Sequence, residues 1–412
     1  MKLCVISFTE NGKRLSKNIA GQAGKMTDQT QKTAGQTEKI EIELFTKHKA
    51  SAEHTACIGQ TGGAEHTACI EQTGGQQAIV FVETPVGEWA KEQMQERNGM
   101  LFIGSCGIAV RAIAPYVKDK QKDAPVLVMD EKGKFVIPVL SGHIGGANEL
   151  ALFLAKLTGA EPVITTATDI NKKFAVDLFA KENGLAIVNK DGIAKVSSKV
   201  LDGKEITISV SPEALISRKN LSPEAFTSWQ NAAWIRRLPP GVRVALYSPE
   251  EPSDILITAE EDLITAKEKE PNVTLILRPR EYVIGIGCRK GKPETDIRDF
   301  ISNKLYELGI SETQIFAVAS VEQKREEPGI LAWCRKEAVP FFTYTAEELQ
   351  KVKGNFEESS FVKAQVGVDN VCERAAIQAC GTGGRLIARK YAEDGMTIAV
   401  AKRKWGAGSY EP

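Results

Sequence analysis

The sequence predicts a multi-domain α/β protein. An N-terminal α/β sheet domain is expected over residues 1–172, a middle linker domain over 173–280 and a separate small α/β domain over 281–412. Three observations lead there. The 412 residues exceed what one hydrophobic core usually organises. Short apolar runs alternate with helical patterns along the chain. Glycine-rich turns mark the strand-to-helix junctions at Gly104–Gly107, Ser141–Gly146 and Gly285–Gly291.

The elements follow in order. Leu3 to Phe8 is apolar and reads as a buried strand, with a helix over Lys13 to Ala20. Gly21 to Thr37, rich in Gly, Gln, Thr and Lys, reads as a loop, and Ile40 to Phe45 as a strand. Next comes a direct repeat, AEHTACIGQTGG then AEHTACIEQTGG, over residues 52–75. Two short polar copies cannot stack as a solenoid, so the repeat reads as a surface insertion between strands. A strand at Ile79 to Val82, a charged helix over Glu88 to Arg97 and a strand at Met100 to Ile103 lead into the first glycine junction. A helix from Ile108 to Tyr116 follows. Val126 to Met129 and Lys134 to Leu140 are strands joined by the Asp130-Glu131-Lys132-Gly133 turn, and the second enters Ser141-Gly-His-Ile-Gly-Gly146. A helix from Ala147 carries Leu150, Ala151, Leu154 and Leu157 on one face and stops at Gly159, before a strand at Pro162 to Thr165.

Motifs thin out between Lys173 and Pro279, a stretch with Trp229, Trp234 and Pro239-Pro240. The C-terminal unit opens with a strand at Val283 to Ile286 and a glycine-rich turn. A helix over Thr295 to Leu308, a strand at Ile315 to Ser320, a helix around Asn370 to Ala379 and a last strand at Thr397 to Ala401 complete it. With its own strand–helix alternation it is expected to fold alone.

Composition removes several function classes. Lysine plus arginine balances aspartate plus glutamate, 53 against 53, so a generally basic nucleic-acid binder is excluded. No apolar run approaches a membrane-spanning length, and Met1-Lys2 leads into too short an apolar stretch for a signal peptide. Eight scattered cysteines without a framework suit a reducing cytoplasm.

Each glycine junction is either an anion cradle, with backbone amides and a helix N-terminus facing a ligand, or simply a tight turn. None is a nucleotide fingerprint: Gly285-Ile-Gly-Cys-Arg-Lys-Gly291 has three residues before its last glycine, and no Walker pattern exists. His143 sits at the carboxyl end of a strand, where open α/β sheets place ligands, and an imidazole there can relay protons or simply order its loop. Asp130 and Glu131, expected at the same sheet end, and Asp169 are the nearby acids; capping roles compete for each. Arg111 is either a carboxylate clamp facing that mouth or a solvated helix arginine. Arg289, Lys290 and Lys292 point the third loop toward a carboxylated ligand or form a solvated basic turn. No G-x-S-x-G elbow or H-E-x-x-H occurs. Cys288 is a helix-terminus thiolate or a structural cysteine. The duplicated His54-x-x-Cys57 and His66-x-x-Cys69 form a nominal zinc set, but the repeat offers no core to hold it, and no protein metal is expected.

Several ordered motifs resemble the cobalt-precorrin-5A hydrolase family of anaerobic cobalamin biosynthesis. In the N-terminal part these are Phe102-Ile-Gly-Ser-Cys-Gly-Ile-Ala-Val-Arg-Ala-Ile-Ala-Pro115, Val128-Met-Asp-Glu-Lys-Gly-Lys-Phe135, Leu140-Ser-Gly-His-Ile-Gly-Gly-Ala-Asn148 and Pro162-Val-Ile-Thr-Thr-Ala-Thr-Asp169. In the C-terminal part they are Gly285 to Gly291, Ala319-Ser-Val-Glu-Gln-Lys324 with Glu326, Phe361-Val362 and Val366 to Ala376. The resemblance implies a small-molecule corrinoid substrate with many carboxylates and a δ-lactone. It implies hydrolysis of that lactone with release of acetaldehyde. Cobalt arrives in the substrate, so no protein cofactor is implied. Transient contact with neighbouring pathway enzymes is expected, and no nucleic-acid or membrane partner. His143, Asp130, Glu131 and Asp169 are then the acid–base candidates. The implied substrate-binding residues are Gly104, Ser105, Gly107, Arg111, Ser141, Gly142, Gly145, Gly146, Asn148, Thr165 and Thr166 in the first domain. In the last domain they are Gly285, Gly287, Cys288, Arg289, Lys290, Ser320, Lys324, Glu326, Glu373 and Arg374.

Two other classes compete: a non-catalytic corrinoid carrier, and an anion- or nucleotide-binding regulator. Acetaldehyde release marks the enzyme, a spectral change alone the carrier, and nucleotide binding without corrinoid binding the regulator.

Overall fold

The computed structural model describes residues 2–30, 40–48, 56–57, 69–71, 78–119, 123–171, 173–215, 233–265, 272–357 and 364–405. It is an α/β fold with three sheets, and its contacts divide the chain after Ile170 into two compact units.

The first unit is built on one mostly parallel sheet. Its strands are β1 (Lys2–Ser7), β2 (Glu41–Thr46), β3 (Ala56–Cys57), β4 (Cys69–Glu71), β5 (Ile79–Phe81), β6 (Gly99–Ile103), β7 (Val126–Met129), β8 (Phe135–Leu140) and β9 (Glu161–Pro162). Their order is β3-β4-β5-β2-β1-β6-β7-β8-β9. Side chains alternate across the pleat, so neighbouring residues serve opposite cores. Leu3 and Val5 pack with α1 (Glu10–Thr30) and α4 (Ala147–Thr158), whereas Cys4 and Ile6 pack with α2 (Val86–Gln95) and α3 (Cys106–Ile113). All five residues of β6 are buried, which explains the continuous apolar run.

The loop expected over Gly21 to Thr37 is corrected in its first part: α1 continues through Thr30. Ala20 and Ala23 are buried against the sheet, and this packing outweighs the roughly 1 kcal/mol that a helical glycine costs. The repeat contributes β3 at the sheet edge and β4 beside it, paired antiparallel, while His54 and His66 lie outside the described residues. Trp229, Phe361 and Val362 lie outside them too.

The second unit holds two sheets. One comprises β10 (Leu185–Ile187), β11 (Ile206–Val210), β12 (Val242–Leu246), β13 (Ser253–Ile257) and β14 (Val273–Pro279), in the order β10-β14-β13-β11-β12. The other comprises β15 (Tyr282–Cys288), β16 (Ile315–Val321), β17 (Phe341–Tyr344), β18 (Arg385–Glu393) and β19 (Met396–Lys402), in the order β17-β16-β15-β19-β18. Each has its own apolar core, but they are joined within one unit. Trp405, just beyond β19, enters the core of the first sheet; its ring lies 5.8 Å from Trp234 and its Nε1 donates to the Asn183 carbonyl at 2.8 Å.

The third glycine turn needs correction. Gly285, Gly287 and Cys288 lie inside β15, not in a loop. Helix Cys372–Cys380 crosses so close that a Cβ on Gly285 would sit 1.8 Å from the Cys372 carbonyl oxygen. Gly285 is therefore a packing residue. Among the described residues no helix is long and apolar enough to cross a membrane.

Candidate active site

Strand direction decides which candidates can meet. β7 and β8 are antiparallel, with Val126 opposite Leu140 and Met129 opposite Val136, whereas β8 and β9 are parallel. The segments leaving β8 and β9 therefore emerge together, and they bring His143 and Asp169 to one end of the sheet. The turn between β7 and β8 emerges at the other.

The loop from β8 into α4 is tightly folded. Its Ser141 holds a left-handed φ of 57°, uncommon for a residue with a side chain and a form of strain found at functional sites. The Ser141 hydroxyl donates to the Asp123 carbonyl at 2.8 Å, and its own carbonyl accepts from Ala147 N at 3.1 Å. Gly145 crosses directly over Ser141; a Cβ there would lie 2.4 Å from the Ser141 Cβ. Gly142 and Gly146 complete the loop, with the Gly142 carbonyl accepting from Asn148 N at 3.0 Å.

This folding leaves the His143 side chain only 11% exposed, with Nε2 2.9 Å from Asp169 Oδ2. A carboxylate only accepts, so Nε2 carries the proton and donates; the basic lone pair of the neutral ring is then on Nδ1. Asp169 comes from α5 (Ala167–Ile170), the last element of the unit. The same Oδ2 accepts from Asn148 Nδ2 at 2.6 Å, and that amide also donates to Thr166 Oγ1 at 3.1 Å. Thr168 Oγ1 lies 3.3 Å from His143 Nε2, a contact not singled out in the sequence although Thr168 stands beside Asp169 in the same run. Thr165 is exposed beside this group.

Asp130 and Glu131 are not brought to His143. Asp130 caps its own turn, accepting from the amides of Lys132, Lys134 and Phe135 at 2.7–2.9 Å. Glu131 accepts from Thr9 Oγ1 at 2.7 Å. Gly104, Ser105 and Gly107 share that far end, since Gly104 N donates to the Met129 carbonyl. Arg111 folds back toward Gly107, so it does not face the His143 mouth.

In the second unit, Arg289 and Lys290 are exposed beyond β15, and Ser320 is buried, donating to the Ile286 carbonyl at 2.6 Å. Burial pushes the Cys288 thiol up, opposed by the Lys324 ammonium. Lys324 pairs at 2.8 Å with Glu327, which is 4% exposed, whereas Glu326 points to solvent. The buried partner was missed one position away; its signal is Glu-Pro at the start of helix Pro328–Glu337. Glu373 is wholly buried and accepts from the Glu357 and Lys390 amides, while Arg374 clamps Asp369 at 2.8 and 3.1 Å and stacks on Phe356. Both are bound into the scaffold.

An imidazole–carboxylate pair at strand ends of an α/β unit can move a proton, which makes this loop cluster a candidate for acid–base chemistry. Comparison with known proteins makes the class specific. Residues 88–169 match the family model described as cobalamin synthesis G N-terminal, and 282–401 match cobalamin synthesis G C-terminus. The chain is 33% identical over 310 residues to a cobalt-precorrin-5A hydrolase of Priestia megaterium, spanning 74% of this chain and 78% of that protein. It is 32% identical over 312 residues to the one from Salmonella typhimurium, spanning 76% and 84%. Over 120 residues the chain is 31% identical to protein CobE of a Sinorhizobium species, covering 29% of this chain and 78% of that one. The chain belongs to the cobalt-precorrin-5A hydrolase family. Asp169 closes the first matched segment, and the sheet β10 to β14 falls between the two.

Proposed function

We propose that the protein hydrolyses the δ-lactone of cobalt-precorrin-5A, releasing acetaldehyde and giving cobalt-precorrin-5B in anaerobic cobalamin biosynthesis. The observation that carries the chemistry is the 2.9 Å His143–Asp169 pair within the segment shared with the family. Lactone opening needs water deprotonated as it attacks the carbonyl carbon, then a proton for the departing alkoxide. His143 takes the first proton on Nδ1 and returns it to the leaving oxygen, which completes lactone hydrolysis; the carbon–carbon cleavage that then frees acetaldehyde is a separate, later step. Asp169 fixes the ring tautomer and stabilises the imidazolium between the two steps. Cobalt enters as part of the substrate, so the step asks for no metal or cofactor of the protein's own. The setting is the cytoplasm, with the corrinoid passed through transient contacts between pathway enzymes.

The test is to supply purified protein with cobalt-precorrin-5A and measure acetaldehyde by coupled NADH oxidation. Stoichiometric and then continued release is expected. A spectral shift without acetaldehyde would make the protein a carrier.

A further inference from the structure

We infer that Asn148 is a positioning residue that holds the Asp169 carboxylate on His143; the inference rests on the reading of that pair as the reacting centre. The orientation of the Asn148 amide is fixed by its neighbour. Asp169 can only accept, so the NH2 group must face it, and one hydrogen goes to Asp169 Oδ2 at 2.6 Å and the other to Thr166 Oγ1 at 3.1 Å. Asp169 Oδ2 thus receives two donors, Asn148 Nδ2 and His143 Nε2, and cannot rotate to solvent without losing both. Asn148 is itself immobile. It lies in the first turn of α4, is 7% exposed, and its backbone amide donates to the carbonyl of Gly142, the residue before His143. One side chain therefore ties α4, α5 and the His143 loop together.

The other half of the amide argues that this arrangement serves more than stability. Asn148 Oδ1 is buried and has no hydrogen-bond partner among the described residues. A buried orphan acceptor costs stability, so this orientation of the amide is not the one its own hydrogen bonding would choose. Here the side chain gives up its acceptor to aim both donors at Thr166 and Asp169, the kind of local cost found where geometry serves function.

The experiment is a double-mutant cycle on acetaldehyde release from cobalt-precorrin-5A, with thermal stability measured for every variant. Asn148→Ala should lower kcat about tenfold or more with little change in KM, as loss of an interaction specific to the reacting step does. Its melting temperature should fall only modestly, since two hydrogen bonds are lost but the orphan acceptor leaves with the amide. In the Asp169→Asn background the same substitution should have almost no further effect on kcat, because the carboxylate it positions is gone. Asn148→Asp sets a second carboxylate against Asp169 and should lower kcat further than Asn148→Ala. Near-normal kcat for Asn148→Ala, or losses that multiply independently in the double variant, would overturn the inference while leaving the pair intact. If Asp169→Asn itself turns over normally, the reading of the pair falls, and the inference with it. Should Asn148→Ala fail to fold, Thr166→Val supplies the second route: it frees one amide hydrogen, and unchanged kcat with lowered stability would make the network purely structural.

Discussion

Asp130 and His143 stand at opposite ends of one antiparallel strand pair, because β7 leaves the sheet at Met129 and β8 leaves it at Leu140, opposite Val126. Proximity in sequence therefore misleads here. Asp130→Ala should cost about 1–2 kcal/mol by stripping acceptors from three turn amides. Acetaldehyde release by the folded variant should stay within about twofold of the parent, as for changes remote from a reacting centre. A large fall in kcat with an unchanged melting temperature would return Asp130 to the mechanism.

His143→Asn keeps some hydrogen-bonding capacity but cannot titrate. It should cut kcat by roughly a hundredfold or more, the usual size of a general-base contribution, with much less change in corrinoid affinity. The melting temperature must be followed alongside, because the ring is packed against Asp169 and Thr168.

Much of the first unit was legible because alternating burial writes itself into residues such as Leu3, Cys4, Val5 and Ile6. The run Met100 to Ile103 and the helix face of Leu150, Ala151 and Leu154 were equally plain. The reversal of β8 was legible too, since a turn as short as Asp130–Gly133 can only join antiparallel strands. What proximity in sequence hid is its consequence, that Asp130 and His143 part to opposite ends of the sheet. The glycines of β15 misled for a related reason: Gly285 looks the same whether a ligand or the Cys372 carbonyl approaches it. Trp405 could not be assigned because its partner Trp234 lies far away along the chain, in the stretch with fewest motifs.

The cysteines give a readout of burial. Cys4, Cys372 and Cys380 are each pushed up to about 12, chiefly by burial, from an ordinary 9.0. Their thiolate fraction near pH 8 is lower by about a thousandfold, so alkylation mapped by mass spectrometry should find exposed Cys106 modified and these three silent until denaturant is added. The folded state holds protons that the unfolded chain releases above pH 9. Stability from these sites is thus complete below pH 9 and is lost as pH rises toward 12, and melting temperature should fall over that window.

Trp405 belongs to the chain of the C-terminal sheet but to the core of its neighbour, alongside Phe179 and Trp234. Trp405→Ala should cost about 3–5 kcal/mol, as large aromatic truncations do. The loss should be local. Hydrogen exchange should quicken in β11 and β13, while β15 and β16, held by Ile284, Ile286 and Trp333, keep their protection. Equal acceleration in both sheets would mean that they unfold as one cooperative body.

Gly285 separates the two readings of the third glycine motif. An anion cradle predicts that Gly285→Ala weakens corrinoid binding in a protein that still folds. The structure predicts the reverse order of events. The new methyl would lie 1.8 Å from the Cys372 carbonyl oxygen and 3.1 Å from the Ala376 Cβ, so helix Cys372–Cys380 must move off the sheet or the strand must bend. Overpacking of this kind costs about 1–3 kcal/mol and sometimes more, and backbone against backbone belongs at the upper end. Gly287→Ala is the control. Its methyl would meet only the Thr397 Oγ1 at 2.7 Å, the end of a side chain that can turn away, so its cost should be much smaller. Melting temperature should therefore fall steeply for Gly285→Ala and little for Gly287→Ala. A stable Gly285→Ala variant with weakened corrinoid affinity would restore the cradle.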